Sequence, residues 1–181
     1  MAGKSKRPEL TVRAVKLAPE LPPGLVMAIG YMSSDWAVIE QNMLLHSLEL
    51  SNHDPAGIPG AFRDRCRYWR KLVIAAFPER LREIEALHRR LRNRSMARNY
   101  AIHGYWRQLG PNDFRVIWLE FPMGQVVREE LVTTRAEIEE QVHKIRSMRS
   151  DFVTFLRELR QKPPAFRPGV PGVSADELTG P

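Results

Sequence analysis

Between Leu25 and Leu48, apolar side chains return every three or four positions: Leu25, Ile29, Met32, Trp36, Ile39, Met43, Leu44 and Leu48. That spacing is one face of an α-helix, and sustained over this length it leaves room for little else. Pro22 and Pro23 suit the start of such a helix, where a missing N–H costs no hydrogen bond. The stretch "SNHDPAGIPG", from Ser51, ends it with turn-forming residues. The same rule predicts a second helix over about 60–77, with Phe62, Cys66, Trp69, Val73 and Phe77 on one stripe. Pro78 stops that helix and can open a third, which carries Leu81, Ile84, Leu87, His88 and Leu91. Either one helix running to Gly104 or a break near Asn93 to Ser95 satisfies the pattern. Gly24 and Gly30, six apart in "GLVMAIGY", read as helix-packing positions. A mid-helix glycine costs about 1 kcal/mol against alanine, so a close neighbour is expected at Gly30.

Past Gly104 the period changes. "FRVIWLEFPMGQVVREELV" holds two β-rich runs, 114–121 and 125–132, around "PMG", a hairpin signal. Thr134 and Glu137 then form a capping box for a last helix with Ile138, Val142, Ile145, Met148, Phe152, Phe155 and Leu159 on one side. The expected architecture is all-α: a four-helix bundle spanning 24–162, with a β-hairpin at about 113–132 inserted before the last long helix. Residues 1–23, with Pro8, Pro19, Pro22 and Pro23, read as a flexible arm. Residues 163–181, rich in Pro and Gly, read as a disordered tail.

Composition narrows the chemistry. An apolar fraction of 43% and a charged fraction of 27% fit an ordinary soluble domain. The single cysteine, Cys66, excludes an internal disulfide framework and a Cys-based zinc site; it falls on the apolar side of the second helix and reads as a core thiol. No apolar run reaches the roughly 18 residues of a membrane span. The basic start "MAGKSKRPEL" lacks the apolar segment of a secretory signal, so a cytoplasmic location is expected. His46, His53, His88 and His143 are scattered without carboxylates at metal-ligand spacing, and no Gly-rich phosphate loop or nucleophile elbow is present. No metal or cofactor is expected.

Charge is uneven. The chain is +7 in total, but 61–107 holds thirteen Lys or Arg against four acids, a net +9, leaving −2 elsewhere. Such a segment is either a surface for a phosphate-bearing partner or a solvated arginine-rich face, and charge alone does not decide. Within it, "MARNYAIHGYW" places Ser95, Arg98 and Asn99 on the line that should stay apolar, continuing to 102 and 105/106. Burying such groups is costly unless they are paired. Asn99 and His103 are four apart and share a face; Arg98 lies about 140° round the helix from His103, so its length must close the gap. On the first helix Trp36 and Glu40 are also four apart, and Glu40 is the carboxylate best placed to hold Arg98. One reading is purely structural: Arg98 and Glu40 lock two helices, and His103 caps the third helix before Gly104.

"RNYAIH" on the penultimate helix of a four-helix bundle resembles the HEPN superfamily, marked by an arginine, four to six residues and a histidine, often with a polar residue right after the arginine. With "WAVIE" on the first helix, "RNYAIHGYW" is similar to a group of bacterial HEPN-like proteins in which "RN…HG" follows a helix bearing Trp and Glu. The resemblance covers roughly 25–160; the hairpin departs from the simplest bundles of this type and can block or reshape a dimer groove. Many members are metal-independent ribonucleases, often toxins of defence or toxin–antitoxin systems; others are silent nucleotide-binding or scaffold domains. The resemblance implies a catalytic set of Arg98, Asn99 and His103, supported by Glu40 and Trp36. His103 would act as base or acid on the RNA 2′-hydroxyl, Arg98 would neutralise phosphate charge and Asn99 would orient either one. A single histidine cannot be both base and acid, which implies a homodimer; an antitoxin protein is a further implied partner. Arg94, Tyr105, Trp106 and Arg107, flanking the motif, are candidates for RNA binding through phosphate contact and base stacking. A third reading keeps the basic second and third helices as a nucleic-acid surface without cleavage.

Overall fold

The computed structural model describes residues 21–120 and 127–162, so most of the arm, the tail and the "PMG" turn lie outside the described residues. The first helix, α1, runs Pro23–Leu50 with proline in its first turn. It ends where Asn52 and His53 turn to positive φ (56° and 65°), the N–H of His53 closing on the carbonyl of Leu48 at 2.7 Å. Its buried face follows the expected line through Met43, except that Ala28 is buried and Ile29 only half-buried, then takes in His46, Ser47 and Leu50 while Leu44 and Leu48 stay half-buried. The three-to-four step simply continues through two polar residues there, which apolarity alone does not reveal.

The glycine expectation is corrected. A Cβ on Gly30 would meet nothing within 4 Å, and one on Gly24 would meet only the Arg135 guanidinium at 3.4 Å, so neither glycine seats a neighbouring helix. Gly30 lies on the solvent side of α1, away from Ala28 and Met32.

Helix α2 (Phe62–Ala76) leads through a single 3₁₀ turn, Pro78–Arg80, into α3 (Leu81–His103), which is unbroken past Asn93 and Ser95. Gly104 ends α3, its N–H reaching the Tyr100 carbonyl at 3.1 Å. Strands β1 (Tyr105–Gln108), β2 (Asp113–Glu120) and β3 (Val127–Thr134) then form an antiparallel sheet in that order. The four helices and the antiparallel β2–β3 pair before the last one are as expected, but the extra strand β1 makes a small three-stranded sheet, so the all-α description holds only in part. Tyr105 and Trp106 do not extend the helical line; they start a strand in which Trp106, opposite Val116, points inward while Tyr105 and Arg107 are exposed. A four-residue strand is too short for its alternation to compete with a helical pattern that runs into it.

Helix α4 (Arg135–Arg160) opens on the Thr134–Glu137 capping box, and every apolar residue expected on its inner side is buried. The four helices share one core in which Trp36, Trp69, Ile39, Ile84, Leu91, Met148 and Phe152 are almost wholly enclosed. Trp69 packs on Phe152 with ring centroids 5.3 Å apart and donates its indole N–H to Nδ1 of His46 at 3.1 Å. Cys66 is fully buried, and burial pushes its thiol up to about 12, the state of an inert core residue. Asp35, buried on α1, is clamped by Arg146 at 3.3 Å and Arg149 at 2.5 Å from α4. Among the described residues no helix is long and apolar enough to cross a membrane.

Candidate functional site

The site begins on α1, where one helical turn stacks Trp36 over Glu40. The Trp36 ring is 1% exposed and its N–H donates to Oε1 of Glu40 at 2.8 Å. Phe62, at the start of α2, packs against the same ring with centroids 4.8 Å apart. One turn on, Arg65 donates to the carbonyls of Pro59 (3.1 Å) and Gly60, and its Nη1 stands 3.9 Å from Oε2 of Glu40. Glu40 thus accepts an indole N–H and has one guanidinium close by.

From α3, Nη2 of Arg98 meets Oε1 of Glu40 at 3.3 Å, as the spacing on the two helices suggests. Its Nη1 reaches Oδ1 of Asn99 at 3.1 Å and Nε2 of His103 at 3.1 Å. The arginine side chain, by bending back along α3, closes the five-residue gap to His103. A guanidinium only donates, so Nε2 of His103 is the acceptor side of this contact. The side chains of Arg98 and Glu40 are 22% and 25% exposed, whereas His103 faces solvent. Nε of Arg98 is buried and has no hydrogen-bond partner among the described residues. A half-buried ion pair therefore lies behind the histidine, whose ring stands in front of it.

Other candidates are placed differently. Arg94, one turn before Arg98 on α3, does not join the cluster but donates to Gln141 of α4 at 3.2 Å. Trp106 is 7% exposed, its N–H bonded to the Ala101 carbonyl at 3.1 Å, so it packs the core and has no face free to stack on a base. Tyr105 and Arg107 remain exposed on β1. Gly104, directly after His103, is fixed by crowding: a Cβ there would lie 2.3 Å from both the Tyr100 carbonyl oxygen and Cγ1 of Val116. Arg65, which sequence reading counted only as charge, proves to be the second cation on Glu40; two glycine-and-proline turns upstream concealed its position. Among the described residues no group of three His, Cys, Asp or Glu side chains could hold a metal ion. No protein-family model matches the chain, and no curated protein or solved structure matches it either.

Proposed function

We propose that this protein is a HEPN-type, metal-independent endoribonuclease whose site is Arg98, Asn99 and His103, backed by Glu40 and Trp36. The observation that supports this most is the contact at 3.1 Å between Nη1 of an anchored arginine and Nε2 of a solvent-facing histidine. A phosphate oxygen arriving from solvent would take over that N–H, freeing the Nε2 lone pair. His103 would then accept the proton of the adjacent 2′-hydroxyl, whose oxygen attacks phosphorus. Arg98, held in line by Glu40, would carry the charge that builds on the non-bridging oxygens. The 5′-oxygen leaves with a proton from an acid, for which the His103 of a second copy across a two-fold interface is the natural source. The products are a 2′,3′-cyclic phosphate and a 5′-hydroxyl.

A second reading, a non-catalytic scaffold, is favoured by the depth of the Arg98–Glu40 pair, which joins α1 to α3 whether or not RNA is present. RNA incubated with purified protein in EDTA separates the two. Cleavage with cyclic-phosphate or 3′-phosphate ends is expected; 3′-hydroxyl ends that require added metal, or no cleavage of any RNA, would refute the ribonuclease.

A further inference from the structure

The arginines that make 61–107 so basic do not share one role. Those turned towards α4 have partners: Arg80 meets Glu158 at 2.8 Å, Arg90 meets Asp151 at 2.5 Å and Arg94 meets Gln141 at 3.2 Å. These contacts join helices. On the other side, α2 and α3 frame an open groove of about 1120 Å³, whose lining includes Arg67, Arg70, Lys71, Arg89 and Arg92.

Three carboxylates, Asp54, Asp64 and Glu85, also line this groove. Arg70 is tied to Glu85, Nε to Oε1 at 3.0 Å, and Arg67 stands 3.4 Å from Asp64. The guanidiniums of Arg89 and Arg92 make no hydrogen bond or ion pair among the described residues, and both are exposed. Five cations against three carboxylates leave the groove positive, with two exposed guanidiniums that no carboxylate holds in an ion pair among the described residues. The exposed Arg67–Asp64 pair is weak enough, about 0–1 kcal/mol, to be exchanged for phosphate oxygens.

The groove also points at the candidate site. Glu85, His88, Arg92, Asn99 and His103 follow one another along α3 in steps of three, four or seven, so they share one side of the helix. At helical rise, Arg92 and His103 are about 16 Å apart along the axis. A solvent-open groove whose basic residues continue along the same side of α3 towards His103 suits a strand with phosphates at intervals better than a single compact anion.

We propose that the α2–α3 groove binds the backbone of single-stranded RNA and leads the strand to the Arg98–His103 cluster. The ligand class rests on the ribonuclease reading, whereas the binding step does not require cleavage. A short fluorescent RNA, 2′-O-methylated throughout so that it cannot be cut, is titrated by anisotropy over a salt series. Replacing Arg89→Ala and Arg92→Ala together should raise Kd by at least about tenfold and flatten the slope of log affinity against log salt by about 1.4, the share of two phosphates on a single strand. The pair Arg128→Ala and Arg135→Ala removes the same charge from exposed positions on β3 and α4 and should change both far less. Equal weakening by the two pairs, or no binding by the wild type, overturns the proposal. So does unmodified RNA cut by the groove variant with wild-type kcat/KM, an outcome that leaves the ribonuclease standing. Groove-dependent binding by a wild type that cuts nothing supports the channel and removes the ribonuclease.

Discussion

Glu40 takes one indole N–H and lies beside two guanidiniums, and that crowding explains how a carboxylate and Arg98 can both sit three-quarters enclosed. Removing a single partner from such a set leaves the remainder desolvated without compensation, which is why these residues cannot be judged one at a time. His46 is a simpler case, with consequences for pH. Burial, reinforced by Arg160 and opposed by Glu49, lowers its pKa from 6.5 to about 4. The unfolded chain therefore takes up a proton near pH 6.5 that the folded chain refuses until about pH 4. Between those limits the unfolded state binds more protons, so stability falls as pH falls, by about 3 kcal/mol over the whole window. Urea unfolding at pH 7 and pH 4.5 should show this loss in the wild type and a smaller one in His46→Gln. The same pH dependence in both proteins would mean that His46 is not the group responsible.

At the level of elements, two glycines with similar sequence surroundings have opposite roles. Gly30 faces open space inside α1, so Gly30→Ala should stabilise the protein by about 0.8 kcal/mol through helix propensity alone. Gly104 has a carbonyl oxygen and a buried valine where a Cβ would go, and Gly104→Ala should cost about 1–3 kcal/mol or more as strain. Urea midpoints of the two variants should move in opposite directions; movement in the same direction contradicts the packing described. The helices were legible because their apolar residues repeat over many turns, and the Thr134–Glu137 box marked the start of α4 to the residue. Strand β1 was not legible: Tyr105 and Trp106 satisfy the helical line of α3 as well as they satisfy a strand, and only Gly104, crowded by Val116 of β2, forces the change. The turn of Asn52 and His53 could be placed but not shaped, since positive φ at a histidine leaves no compositional trace.

On the scale of the whole molecule, the bundle brings the middle of α1, the start of α2 and the end of α3 together at one place. The sheet buttresses that end of α3, with Tyr100 packed edge-on against Trp118 at 5.2 Å. The Arg98–Glu40 pair was readable from spacing because Arg98 interrupts the apolar line of α3 while Glu40 lies beside the line through Ile39 and Met43 on α1. The burial of Trp106 and the arrival of Arg65 depend on the sheet and on the 51–61 connection, neither of which periodicity specifies. What the assembled cluster is for turns on His103, which is exposed and so contributes little to the core. The decisive measurement pairs a melting curve with RNA cleavage in EDTA for wild type, His103→Ala and Arg98→Ala. The account predicts that His103→Ala melts like wild type while cleavage falls by about 10²–10⁴, and that Arg98→Ala loses both cleavage and some stability by removing one of the two guanidiniums beside Glu40. A wild type inert towards RNA, with a lowered melting temperature in His103→Ala, would contradict it and leave the histidine a helix cap on a scaffold.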